Sequence, residues 1–213
     1  MVEKLLDLIA KRYILTEKNI GENASVKASG MKFNMRAFSA EGLGHVSIMT
    51  AKGFFGLMRM DTLIVVPKEK DLPLYSYDRI YAMGNDTLIV ELYNTFVENT
   101  EMNKLSDVKK GYSNIPDHAL GEHWYDSIKL AESISKKGKK ADSAMFDKLA
   151  EEHFAAYLDT DVPPSDPDAK KAKAAVYVEG LLKNGGPSTD AFKKALGEEK
   201  TAYLFRNILF GTN

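Results

Sequence analysis

The residues with most chemical potential are acids set in apolar surroundings. Asp78 interrupts LYSYDRIYAM, an aromatic-rich run in which strand propensity disfavours aspartate. A carboxyl drawn into an apolar hollow has its pKa raised, because desolvation penalises the charged form. It then holds a proton near neutrality and can donate it. The competing reading of Asp78 is a solvated edge-strand residue paired with Arg59 or Arg79. Asp61, in MRMDTLIVVP, is the second acid at comparable depth, and its competing reading is a turn-adjacent partner of Arg59 or Lys52. His45, His118, His123 and His153 are the four histidines, and no pair has the HExxH type of spacing, so no protein-built metal site is expected. The absence of cysteine excludes disulfides, thiolate catalysis and Cys-ligated clusters. Any electrons used must come from an outside carrier.

The elements that must position these acids divide the chain in two. Val2, Leu5, Leu6, Leu8, Ile9 and Tyr13 recur at a helical period and predict an amphipathic helix over 2–16, closed by Gly21. From Ala24 to Phe96 the segments MKFNMRAFSA, GHVSIMTAKG, FFGLMRMDTLIVVP, LYSYDRIYAM and DTLIVELYNTF read as strands. Their connectors are too short for crossover helices, which makes neighbouring strands antiparallel. The second half reads as helices near 122–136, 142–159, 167–183, 188–196 and 198–209, with Asp142 and Ser188 at N-cap positions and Pro167 in a first turn after Asp166. Strands followed by helices give an α+β fold. VPPSDPD reads as a turn between helices.

Size and charge narrow the class. A chain of 213 residues with 44% apolar content is expected to form a single domain over 1–213. A net charge of −1 leaves no general positive field, so no nucleic-acid partner is expected. The opening residues lack a signal-peptide pattern and no apolar run is long enough to span a bilayer, which predicts a cytoplasmic protein with no membrane partner. The run KKGKK, Lys136 to Lys140, reads as an exposed turn able to receive an acidic electron-transfer protein.

Two stretches carry a family resemblance. In LIVVPKEKDLPLYSYDRIYAMGNDTLIVELYNTF a strand ends at Pro67, a loop closes with Asp71-Leu72-Pro73, and the next strand carries Asp78. In YVEGLLKNGGPSTDAFKKALGEEKTAYLFRNILF an Asn-containing turn precedes a short helix, a Gly-Glu-Glu turn and a last helix ending in Leu-Phe. Both resemble the ferredoxin-dependent bilin reductases, with Trp124 and the Tyr157-Leu158 helix end falling in the same order between them. The resemblance implies a three-layer α/β/α sandwich with a central antiparallel β-sheet and a pocket between the sheet and the C-terminal helices. It further implies a linear tetrapyrrole substrate, no bound cofactor, and ferredoxin or flavodoxin as external electron donor. Asp78 would then face the tetrapyrrole as a proton donor.

The chain also departs from that pattern. The family's partner Glu falls at Met49 or Thr50, its His falls at Asp61 or Thr62, and Asn184-Gly185 replaces the acid of the C-terminal turn. The candidate catalytic residues are therefore Asp78 and Asp61. The candidate ligand-binding residues are Met49, Thr50, Thr62, Tyr75, Tyr77, Asn184, Arg59 and Arg206, the two arginines, like Arg36, Lys52 and Arg79, as propionate or ferredoxin contacts. Three readings stay open: a bilin reductase, a tetrapyrrole-binding carrier without turnover, and a fold relative whose pocket takes an unrelated ligand or is filled with side chains.

Overall fold

Residues 1–98 and 100–213 are described by a computed structural model. Eight strands form one sheet: β1 (Leu15–Lys18), β2 (Ser25–Ala28), β3 (Met31–Ala40), β4 (Gly44–Gly53), β5 (Met58–Pro67), β6 (Leu74–Ala82), β7 (Asn85–Tyr93) and β8 (Ile134–Lys139). The order is β1-β3-β4-β5-β6-β7-β8, with β2 pairing β3 along the same edge as β1. Every pairing is antiparallel, and between the consecutive strands β2 to β7 the short connectors require it.

Alternation of side chains along these strands supplies two separate cores. One face packs Val46, Ile48, Leu63, Val65, Tyr75, Tyr77, Leu88 and Val90 beneath α1 (Val2–Ala10), α2 (Asn103–Gly111) and α3 (Ser143–Leu158). The other packs Met35, Met49, Ile64, Val66, Leu74 and Tyr93 beneath α4 (Pro167–Asn184), α5 (Pro187–Leu196), α6 (Glu198–Tyr203) and the π-helical turn Leu204–Leu209. The three-layer α/β/α sandwich of the α+β class is therefore observed. Among the described residues no helix is long and apolar enough to cross a membrane.

Several local expectations are corrected. The opening helix stops at Ala10, because Leu15–Lys18 pairs with Ala37–Ala40 of β3 and draws the chain into the sheet. The helix expected over 122–136 is replaced by a 3-10 turn, Trp124–Ile128, and by β8. Ile134 inserts into the first core while β8 completes the free edge of β7, and this tertiary pairing outweighs local helical pattern. Residues 136–139 of the KKGKK run are thus strand rather than turn, and Lys140 opens a 3-10 turn. Lys136 is buried, donates to the Ile115 carbonyl at 2.5 Å and pairs with Asp117 at 2.8 Å. Asp142 is the N-cap residue of α3 as expected, but its carboxylate accepts from the Lys139 amide at 2.7 Å rather than from the first turn of that helix; Ser188 lies inside α5 behind Pro187, with Gly186 at the N-cap. Asp166 does cap α4, accepting from the Asp168 amide at 2.9 Å.

Candidate functional site

The register sets Met49, Thr62, Asp78 and Ile89 along one rung of β4 to β7. Met49 belongs to the core beneath α4 to α6, so the whole rung faces that layer. Asp78 is half-buried there, and the Thr62 hydroxyl donates to its carboxylate at 2.5 Å. Burial pushes the Asp78 pKa up to about 6, against the opposing pull of the Thr62 hydrogen bond and with a further push from the Glu91 charge.

Glu91 is the second acid of this face. It pairs with Ser76 and so sits diagonally across from Asp78 on β7. Its carboxylate accepts from the Tyr93 hydroxyl at 2.6 Å and lies 3.6 Å from the Lys129 ammonium. Tyr93 stacks on Tyr177 of α4 with ring centroids 4.1 Å apart, and Tyr125 meets Tyr93 edge-on at 5.5 Å. The His123 ring lies flat on Tyr125 at 4.8 Å, with its Nδ1 buried and lacking a hydrogen-bond partner among the described residues. Desolvation raises the hydroxyl pKa values of Tyr93, Tyr125 and Tyr177, so all three stay protonated donors at neutral pH.

Trp124 anchors this aromatic wall to α4. Its indole N–H donates to the Gly185 carbonyl at 3.1 Å, and its ring lies over Gly180, where a Cβ would meet the indole at 2.2 Å. Glycine at 180 is what lets the 3-10 turn close on the helix. Beyond Asp78 the cover thins, and Met60, Ile80, Thr87, Ile89 and Ser135 form a half-exposed shelf on the same sheet face. Asp78 thus stands where a packed core gives way to an open ledge. A ligand on the shelf would find one protonatable acid at its inner end and aromatic rings beside it. Two hollows lie elsewhere, of about 600 Å³ beside Glu22, Gly197 and Tyr203, and of about 360 Å³ beside Ser106, Lys109 and Asp117.

The register brings some of the sequence-predicted residues together and separates others. Met49, Thr62 and Asp78 are brought together. Asp61 is not: it shares a rung with Thr50 and Arg79, which face the α1–α3 layer, so the two expected acids lie on opposite sides of the sheet. There Asp61 is buried and paired with Arg59, whose Nε donates at 3.1 Å. Tyr75 and Tyr77 also belong to that opposite core, the Tyr75 hydroxyl 3.2 Å from His153 Nδ1 beneath α3. Asn184 is exposed at the end of α4, and Arg206 is held at the surface by Glu179 through bonds of 2.6 and 2.7 Å. Glu91, Tyr93, Tyr125 and Tyr177 were not singled out from sequence. Glu91 interrupts TLIVELY much as Asp78 interrupts its own strand, and that break in an apolar run was a usable signal.

No family model matches the chain, and no curated protein is similar to it in sequence. Among solved structures it is similar to phytochromobilin synthase from tomato, determined in complex with biliverdin. The TM-score is 0.76 at 13% identity, covering 99% of this chain and 82% of that one. At that identity the likeness establishes a shared fold.

Proposed function

We propose that this protein is a tetrapyrrole reductase of the bilin type. In this reading the shelf beside Asp78 receives a linear tetrapyrrole, and ferredoxin or flavodoxin delivers electrons one at a time. Reduction of one double bond then consumes two electrons from the donor and two protons passed through the protein. The observation that carries the reading is Asp78 itself, a half-buried carboxyl held by Thr62 with its pKa pushed up to about 6. Such an acid is populated in both protonation states near neutrality, as a proton donor that must be reloaded requires. Its position between the sheet and the C-terminal helices, on a fold shared with a protein solved around biliverdin, supports the same reading. Glu91, linked to the Tyr93 hydroxyl, is the second acid of that face and takes the role that Asp61 cannot take from the other side.

The carrier reading has an observation of its own. The two residues on the Asp78 rung at the family's acid and histidine positions are Met49 and Thr62, and neither transfers a proton usefully. The experiment that separates the readings is anaerobic incubation of protein and biliverdin with a low-potential ferredoxin system, followed by visible spectroscopy and product chromatography. Reduction is expected, and Asp78→Asn is expected to lower its rate by about 100-fold or more. Stable binding with no turnover under any donor would establish the carrier. Binding and turnover equal to wild type in Asp78→Asn would remove the site.

A further inference from the structure

One rung of the sheet carries four cations in succession. Lys27 of β2 pairs with Lys32 of β3, Lys32 with Lys52 of β4, and Lys52 with Arg59 of β5. All four are exposed, and they span about 14 Å at the usual strand spacing. Like charges set directly opposite each other across strands destabilise a sheet, so nothing in the fold itself favours this row. Arg59 has Asp61 as a partner, whereas the three lysines form no ion pair among the described residues.

Immediately beyond the row the chain turns through Phe54, Phe55 and Gly56, and these residues are built to project. Phe54 and Phe55 both have positive φ, 52° and 56°, a left-handed conformation that bulky side chains rarely adopt. Phe54 is 55% exposed, Phe55 fully exposed and Leu57 68% exposed. The neighbouring β6–β7 hairpin tip adds Met83, 87% exposed and also at positive φ, with its amide on the Leu57 carbonyl at 3.4 Å. Exposed apolar clusters of this kind mark interaction sites rather than ordinary surface.

We propose that this end of the sheet docks on an anionic membrane surface, the Phe54-Phe55-Leu57-Met83 tips entering the headgroup boundary while Lys27, Lys32, Lys52 and Arg59 meet lipid phosphates. The arrangement fits that occupant in two ways. The apolar side chains stand at the extreme tips of two adjacent hairpins, which suits shallow insertion more than a flat protein contact. The cations lie one or two residues behind the tips on a single rung, at the level where phosphates would then be. The surface is local on a chain of net charge −1, and it stands independently of the bilin reading.

The test is co-sedimentation of the full chain with vesicles of phosphatidylcholine alone or with one third phosphatidylglycerol. Binding is expected to the anionic vesicles and to weaken as salt rises from about 0.1 to 0.5 M. The triple variant Lys27→Glu, Lys32→Glu, Lys52→Glu and the double variant Phe54→Ser, Phe55→Ser are each expected to bind about tenfold more weakly or worse, with thermal unfolding unchanged. Should either variant unfold, Lys52→Gln alone is expected to lower affinity measurably in a folded chain. The proposal is overturned by absence of wild-type binding to anionic vesicles, or by equal binding of the folded variants. It is equally overturned if the chain ignores vesicles yet binds an acidic protein, or self-associates, through these residues.

Discussion

At the scale of single residues, Asp78 links the proposed function to stability. Its folded pKa of about 6 lies above the ordinary value of 3.8, so the folded state holds this proton more tightly than the unfolded chain. Between pH 3.8 and 6 the native state binds more protons, and stability contributed by this group therefore falls as pH rises through that window, then stays low above it. Asparagine keeps the acceptor for Thr62 and removes the charge. Asp78→Asn is thus expected to stabilise the fold by about 1–2 kcal/mol at pH 8, a figure reduced for the partial exposure of the group, and by about nothing near pH 4. Urea unfolding at the two pH values measures the difference. A variant equally destabilised at both would mean that Asp78 is solvated and ordinary. The fold then loses nothing by its ionisation, and the site loses its acid.

At the scale of elements, the Asp71-Leu72-Pro73 loop does structural work that its motif did not announce. Lys170 of α4 is buried and donates to Asp71 at 3.2 Å, to the Leu72 carbonyl at 2.6 Å and to the Thr95 carbonyl at 2.7 Å. Asp71 in turn accepts from the Val97 and Glu98 amides at 2.8 and 2.7 Å. One ammonium thereby ties the start of α4 to the β5–β6 loop and to the segment leaving β7, fixing the helix that carries Tyr177 over the site. Lys170→Met is expected to cost about 2–4 kcal/mol, because it strands a buried carboxylate, and a cost under about 0.5 kcal/mol in urea unfolding would refute that assignment. Elements of this kind also show how far sequence reading reached. The strands β3 to β7 were legible because period-two patterning and Gly, Pro and Asn turns are local signals. β8 was not, since KKGKK looks solvated until β7 offers it an edge and Ile115 offers Lys136 a buried carbonyl. Helix α2 carried only Leu105 as a buried residue and had no apolar stripe to announce it.

At the scale of the whole molecule, the sheet has two unlike faces. The α1–α3 side seals Tyr75, Tyr77 and the Arg79–Asp86 pair in a full core, while the α4–α6 side leaves a shelf open next to Asp78. Which side a strand residue takes depends on register, and a slip of one residue reverses it. This is why Asp61 and Asp78, near each other in depth along their strands, were readable as a pair from sequence and are separated by the sheet in space. The same dependence decides between the paired alternatives left open in sequence: register sets Met49 and Thr62 on the Asp78 face, and Thr50 and Asp61 on the other. The most direct test of the account is a pH titration, from 5 to 8, of the visible spectrum of biliverdin mixed with the full chain. The account predicts a bound band, distinct from that of the free pigment, that changes with a single apparent pKa and ceases to titrate in Asp78→Asn; a spectrum identical to free biliverdin, or a titration unchanged in the variant, would contradict it.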